Sequence, residues 1–142
     1  KKLVSIFVEV SPEIVLIHSK EDPFNPDHPI ASDAALKARL LATGAGGVPA
    51  SFKTIPPSIV YAFEPHQPDL CSFRPDTFVD VTQVWLTKLD AMSAMVAQSY
   101  LKDHYTKRAE QRAFQSRYVG LDHNTKYVEA FQKLTPEKRD AL

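Results

Sequence analysis

The order of apolar and polar positions along the chain predicts helices that alternate with strands. Before Ser11-Pro12, apolar residues recur at helical spacing, at Leu3, Ile6, Phe7 and Val10. The segment Glu13 to His18 differs, because four consecutive apolar residues that include β-branched types are typical of a parallel strand covered on both faces. A helix over Pro29 to Thr43, ended by Gly44, Gly46 and Gly47, and a second strand over Ser58 to Glu64 continue the alternation.

The second half of the chain continues this pattern. After an irregular loop from Asp69 to Pro75, Thr77 to Val81 predicts a short third strand, and Thr82 caps a long helix. That helix carries one apolar stripe, interpreted as core packing, at Trp85, Leu89, Met92 and Val96. The segment from Lys102 to Gly120 is predicted to be a polar helix, and the tail from Leu134 is expected at the surface. Strands alternating with helices indicate an α/β protein, and 142 residues suit a single domain over 1–142.

Composition excludes several classes of function. Seventeen basic residues balance seventeen acidic ones, which argues against a general nucleic-acid or membrane-surface binder, because such proteins need a basic excess. The single cysteine, Cys71, excludes an intrachain disulfide and fits a reducing compartment, so the cytoplasm is the expected location. Cys71 lacks an evident activating partner and is interpreted as inert.

The start of the chain is unusual for a domain. It begins Lys1-Lys2, without Met, inside a segment with helical spacing. We therefore expect the chain to be the carboxyl-terminal part of a longer protein.

The most informative segment is Asp22-Pro-Phe-Asn-Pro-Asp-His28, which follows the first predicted strand. Loops at the carboxyl ends of strands are where α/β proteins usually place ligand chemistry. His28 supplies an imidazole of the kind that divalent metals favour, Asp27 is placed to orient or assist it, and the two prolines stiffen the loop. The alternative is a proline-rich turn with a helix-capping aspartate and an incidental histidine.

A second histidine follows the second predicted strand, in Glu64-Pro-His-Gln-Pro68. If the two strands are neighbours in the sheet, His28 and His66 lie on the same rim, within reach of one ligand. The alternative is that His66 is a loop residue whose side chain forms a hydrogen bond with the backbone of a proline-rich turn. His18, at the end of the first strand, is interpreted as a core histidine or one that supports a site.

Cationic residues near the chain's last third are candidates for binding carboxylates. Arg108 and Arg112 are spaced four apart on one helix face, and Arg117 follows. The alternative is a solvated helix face that carries surface charges.

The chain resembles the carboxyl-terminal part of the PIG-L/LmbE-like family of zinc-dependent deacetylases, from about Leu3 to about Gly120. The resemblance rests on Pro12–Ser19, Asp22–His28 and Asp80–Lys88, followed by Ala91 and Gln98. It implies a Rossmann-like, mostly parallel sheet flanked by helices, with the amino-terminal part missing. It also implies a divalent metal, zinc in this family, with His28 as one ligand, while two ligands and an acidic base belong to an amino-terminal motif absent here.

The family's His-Pro-Asp-His motif reads Asn25-Pro26-Asp27-His28 in this chain. An asparagine donates a hydrogen bond but delivers no proton near neutral pH, which weakens a deacetylase assignment. Asn25 and the segment from Phe63 to Pro68 are instead similar to hydratases of this family, which add water to a conjugated oxo-polycarboxylate in aromatic-compound breakdown.

The chemistry of such a hydration, which needs proton transfer and cations for the carboxylates, suggests roles for these residues. His66 is the candidate for proton transfer, Asn25 orients substrate or water, and Arg108, Arg112 and Arg117 bind substrate carboxylates. A homo-oligomer is expected from the family. A deacetylase on the same scaffold, or a non-catalytic domain that has lost the metal, remain the alternatives.

Overall fold

A computed structural model describes residues 1–44 and 53–136 of the chain. The chain divides into a first unit, Lys1–Pro75 with Phe131–Leu142, and a second unit, Asp76–Ala130. The helices are α1 (Lys2–Val10), α2 (Asp27–Thr43), α3 (Trp85–Ser93) and α4 (Leu101–Ser116). The strands are β1 (Ile14–Ile17), β2 (Ile59–Phe63), β3 (Thr77–Asp80) and β4 (Val128–Lys133). Short 3₁₀ turns lie at Pro68–Cys71, Thr82–Val84, Val96–Gln98 and Arg117–Val119.

The strands form one sheet in the order β1-β2-β4-β3. Strands β1 and β2 are parallel, with Ile17 opposite Ala62, whereas β2 and β4 are antiparallel, with Phe63 opposite Phe131. The α/β class is therefore confirmed, while the described strands form a mixed sheet and do not confirm a mostly parallel one. Strand β4 is not among the predicted strands. Its alternating apolar residues, Val128 and Ala130, are both buried.

The core of the first unit lies on one face of β1. Val4 and Phe7 of α1 pack with Ala38 and Ala42 of α2, and Val15 of β1 packs against this cluster. A strand places successive side chains on opposite faces, so residues on either side of Val15 point away from the cluster.

Burial on β1 corrects one prediction. Ile14 and Leu16 are 57% and 55% exposed, so the prediction that this strand is covered on both faces is wrong for the described chain. The physical reason is that the helices whose buried residues contact β1 do so through Val15, on a single face.

Local signals explain the ends of the first two helices. Ser11 adopts a left-handed conformation with φ of 46°, and its N–H donates to Phe7 O, which ends α1 before Pro12. Helix α2 begins at Asp27, two residues before the predicted Pro29, and Gly44 follows its last residue. The other two glycines predicted to end it, Gly46 and Gly47, lie outside the described residues. None of the helices in the described ranges is long and apolar enough to cross a membrane.

In the second unit, α3 is shorter than predicted. Trp85 is 2% exposed, but α3 ends at Ser93, and Val96 is 84% exposed in the turn beyond it. The apolar stripe is therefore buried at its first residue, Trp85, but not at its last, Val96. The Ser93 hydroxyl donates to the carbonyl of Leu89, and this kind of side-chain bond competes with the helical ladder.

Hydrogen bonds join the start of this helical region to the segment before β4. Asp80 accepts hydrogen bonds from the backbone N–H of Thr82 and from the hydroxyl of Thr125, both at 2.8 Å. These bonds, those to Thr82 most strongly, lower the pKa of Asp80 below its ordinary value. The Thr82 hydroxyl oxygen accepts from the N–H groups of Lys126 and Tyr127, at 2.9 and 3.2 Å. One hydroxyl thus satisfies two backbone donors at a point where the chain is not in a strand.

Replacing Thr82 by Val should reduce the free energy of unfolding by about 1–3 kcal/mol, because two backbone donors lose their acceptor. Urea unfolding followed by circular dichroism measures this. Thr77→Val is the matched control, since the Thr77 hydroxyl contacts the neighbouring Asp76 side chain at the surface, and we expect a change within about 0.5 kcal/mol. Equal stability of Thr82→Val and wild type would contradict this role of the hydroxyl.

Candidate functional site

The loop between β1 and α2 is built around the carboxylate of Asp22. Its Oδ1 accepts hydrogen bonds from the backbone N–H groups of Phe24 at 2.9 Å and Asn25 at 3.1 Å. This is the Asx-turn geometry that aspartate favours, and Pro23 supports it by fixing φ at the next position. The Asn25 carbonyl then accepts from the His28 N–H at 3.0 Å, which joins the turn to the first residues of α2.

The other oxygen of the same carboxylate contacts the imidazole of His28. Asp22 Oδ2 lies 2.8 Å from His28 Nδ1 and 3.2 Å from Asn25 Nδ2. The Asp22 side chain is only 4% exposed, whereas that of His28 is 30% exposed. The ring of His28 is thus held from the protein side and remains accessible from solvent.

The ionisation of Asp22 decides which nitrogen of His28 carries the proton. Burial pushes the pKa of Asp22 up, but hydrogen bonds from Phe24, His28 and Asn25 outweigh it and lower the pKa to about 2. At neutral pH the carboxylate is therefore ionised and acts only as an acceptor. His28 Nδ1 must then carry the hydrogen, and in the neutral ring the lone pair lies on Nε2.

A second imidazole packs on the face of the first. The rings of His18 and His28 are stacked, with centroids 3.8 Å apart and planes at 16°. Phe63 at the end of β2 meets His18 edge-on at 4.7 Å. Burial lowers the pKa of His18 and the neighbouring His28 lowers it further, against opposing effects of Asp27 and Asp22, and this shift favours the neutral ring. A neutral His18 ring stacks on His28 without like-charge repulsion.

The loops after β1 and β2 leave the same edge of the sheet, because these strands are parallel neighbours. Two hydrogen bonds link them directly. The Ser19 hydroxyl donates to the Cys71 carbonyl at 3.1 Å, and the Ser72 hydroxyl donates to Glu21 Oε2 at 2.7 Å. At this contact the backbone of Ser72 adopts the left-handed conformation, with φ of 49°. His66 lies in the second of these loops and is half-buried.

The remaining predicted site residues lie elsewhere. Asp27 is the exposed first residue of α2 and does not occupy the Nδ1 side of His28, where Asp22 lies. The predicted cations belong to the second unit. Arg112 on α4 donates to Gln115 Oε1 at 2.6 Å, and the Arg117 guanidinium lies 5.5 Å from the ring centre of Phe114.

Two open cavities of the second unit are lined by two of the predicted cationic residues, Arg117 and Arg108. One, of about 470 Å³, lies against α4 and is lined by Arg117, Lys126 and Tyr127 among others. Another, of about 440 Å³, is lined by residues of α4 that include Lys107 and Arg108. Each combines cationic groups with space for a small anion, while their acidic neighbours Glu110 and Asp103 limit the net positive charge.

The metal-ligating potential of the site rests on His28. Within residues 1–44 and 53–136, no group of three or more His, Cys, Asp or Glu side chains is placed to hold a metal ion. A metal-ligating histidine almost always donates its other ring N–H to a carboxylate or carbonyl. The Asp22–His28 contact has this form, so His28 fits one position in a metal's ligand set.

The contacts of Asp22 and His18 are not predicted by the sequence pattern. Asp27, the aspartate nearest to His28 along the chain, is the partner that the sequence favours, whereas the observed partner lies six residues away. A signal for Asp22 is nevertheless present, because an aspartate followed directly by proline is typical of a turn that folds back on its own carboxylate.

Comparison with known proteins gives a consistent picture. No protein-family model matches the chain. The chain is 42% identical, over 99% of its own length and 55% of the relative, to 4-oxalmesaconate hydratase of Pseudomonas putida KT2440. The crystal structure of GalB, the 4-carboxy-2-hydroxymuconate hydratase from Pseudomonas putida KT2440, matches with a TM-score of 0.91 and 42% identity, over 99% of this chain and 60% of that one. The chain thus spans a little over half the length of these hydratases.

More distant structures share the fold. The conserved protein TT1542 from Thermus thermophilus matches with a TM-score of 0.65 at 22% identity, over 97% of this chain and 58% of that one. The N,N'-diacetylchitobiose deacetylase from Pyrococcus horikoshii matches with a TM-score of 0.56 at 17% identity, over 94% and 49%. At these identities the likeness shows the α/β fold alone.

The link between the two loops can be tested through Cys71, which is 2% exposed and whose pKa is raised by burial and by nearby Asp22 and Glu21. Alkylation by iodoacetamide, followed by mass spectrometry, should be far slower in native than in unfolded protein. Ser19→Ala removes one bond between the loops, worth about 1 kcal/mol, and should raise the native rate about 5-fold.

The control for this measurement is Ser5→Ala, because the Ser5 hydroxyl is exposed on α1 and donates to the carbonyl of Lys1, one turn earlier. Its native labelling rate should equal that of wild type. A Ser19→Ala rate no higher than wild type would show that the Ser19 hydroxyl does not hold the loops together.

Proposed function

We propose that this chain is part of a metal-dependent hydro-lyase that adds water to 4-oxalomesaconate in the breakdown of gallate or protocatechuate. The observation that carries this proposal is the 42% identity to hydratases of Pseudomonas putida across 99% of the chain, with a TM-score of 0.91 for the solved structure. The Rossmann-like arrangement, a cytoplasmic location and assembly into a homo-oligomer are proposed with it.

The two relatives' names support one substrate class. An oxo acid and a hydroxymuconate with the same carboxylates are the keto and enol forms of one carbon skeleton, which carries three carboxylates and a carbon–carbon double bond. Hydration of such a double bond needs charge stabilisation on the conjugated oxo-acid group, a base for water and an acid for carbon. The site must therefore combine cations with a proton-transfer group.

His28 is proposed as a ligand of the metal, with zinc as the proposed ion. When bound, the metal would supply Lewis-acid stabilisation of the oxo-acid group. The carboxylate of Asp22 on Nδ1 supports the assignment, since it leaves Nε2 of His28 as the lone-pair nitrogen. The remaining ligands are proposed to lie outside the described residues.

His66 is proposed to transfer the proton, because the ordinary pKa of histidine lies near the working pH. It lies in the loop that follows β2, at the same edge of the sheet as the loop carrying His28. Asn25 is proposed to orient substrate or water, with its side-chain amide already held by Asp22 at 3.2 Å. Asp27, which is exposed at the start of α2, is proposed to assist the His28 imidazole electrostatically.

Substrate carboxylates are proposed to be bound by Arg108, Arg112 and Arg117. Guanidinium groups form paired hydrogen bonds with carboxylates, and a substrate with three carboxylates requires several cations. Arg117 lines the 470 Å³ cavity of the second unit and Arg108 the 440 Å³ one, so both have room for an anionic group.

The proposal is tested by incubating the intact protein with 4-oxalomesaconate and following the loss of its conjugated ultraviolet absorbance. Loss of absorbance that depends on bound metal is the expected result. Stable absorbance, with acetate released from N-acetyl sugars instead, would replace hydration by deacetylation. If neither reaction occurs, the result supports the alternative of a non-catalytic domain.

His66→Ala should lower kcat for hydration by about 10²- to 10⁴-fold, the usual contribution of a positioned acid or base. Bound metal, measured by atomic emission, should stay at the wild-type level. Gln83→Ala is the control, because Gln83 is exposed in the second unit and lines neither of the two cavities described above. A near-normal rate in His66→Ala would remove His66 from the reaction.

A further inference from the structure

The carboxylate of Asp22 makes more hydrogen bonds than a turn alone requires. It accepts from two backbone N–H groups, from the Asn25 side-chain amide and from His28 Nδ1. Its two oxygens divide these contacts, because Oδ1 takes the backbone donors and Oδ2 takes the side chains. The same carboxylate therefore fixes the turn and the ring that follows it.

The ring of His28 is restrained in two independent directions. Asp22 holds its Nδ1 edge, and His18 covers one of its faces at a centroid distance of 3.8 Å. Phe63 supports His18 edge-on at 4.7 Å. A hydrogen bond at one edge and a stack on one face together resist rotation of the imidazole, which is what a preorganised ligand requires.

From this geometry we propose that Asp22 is a positioning residue for metal binding, which fixes the tautomer and orientation of His28 so that Nε2 faces the metal. The inference rests on the proposed role of His28 as a ligand. Asp22 would act through His28 and not as a ligand itself, since its oxygens are already occupied by four donors and its side chain is 4% exposed. Asp27 is exposed and makes no such contact with the ring among the described hydrogen bonds.

Asp22→Asn tests this with little change of shape. The amide oxygen can still accept from the N–H groups of Phe24 and Asn25, so the turn is retained. Its NH₂ group then faces His28 Nδ1 and donates to it, which places the ring hydrogen on Nε2 and removes the lone pair from the metal side. Loss of a supporting carboxylate typically weakens metal affinity by about 10- to 100-fold.

Zinc affinity is measured on the intact protein by competition with a chromophoric chelator, and the tautomer of His28 by ¹⁵N NMR of the metal-free protein. Asp22→Asn should weaken zinc binding by about 10- to 100-fold and move the hydrogen from Nδ1 to Nε2. Asp22→Ser is the second variant, because its hydroxyl can still accept in the turn while leaving Nδ1 without the carboxylate. It should weaken binding to a similar extent.

Glu21→Gln is the matched control, since it removes the same charge one position earlier and keeps an acceptor for the Ser72 hydroxyl. Its zinc affinity should stay within about 2-fold of wild type. Equal loss in Glu21→Gln, or unchanged affinity and tautomer in Asp22→Asn, would overturn the positioning role. Wild-type protein that binds zinc but does not hydrate 4-oxalomesaconate would contradict the proposed function, while the affinity comparison would still decide this inference.

Discussion

The bond between the Asp22 carboxylate and the His28 imidazole is the interaction on which the rest of the candidate site depends. The ionised carboxylate determines which ring nitrogen carries hydrogen. The turn built on its other oxygen brings the side chain of Asn25 to the same carboxylate. Because this carboxylate is nearly buried, its hydrogen bonds are protected from competition with water. The accessible edge of His28 is then available to a ligand, and its position follows from the backbone.

The sheet gives this loop its setting. Parallel pairing of β1 and β2 sends two loops out at one edge, and the bonds from Ser19 and Ser72 join them there. His66 enters the proposed reaction through this arrangement. The chain covers 55% and 60% of the two hydratase chains that it matches.

Local patterns in the sequence predicted the first two helices, the polar helix α4, three of the strands and the loop that carries His28. They were less successful where packing decides the outcome. Ile14 and Leu16 are apolar, as in a strand that is covered on both faces. The helices nevertheless contact β1 through Val15, on one face. Similarly, spacing alone extended α3 to Val96, whereas the helix ends at Ser93.

The candidate site shows the same division. The sequence indicated His28 as a ligand but favoured the adjacent Asp27 as its partner, because proximity along the chain was the available guide. The turn that brings Asp22 back over six residues depends on backbone conformation, and the stack with His18 depends on sheet geometry. Anomalous diffraction at the zinc edge, from crystals of the intact, metal-loaded protein, shows directly whether His28 binds the metal. We expect zinc bonded to His28 Nε2, with Nδ1 on Asp22. Zinc bound elsewhere, with the His28 ring unligated, would contradict the role of His28 as a ligand.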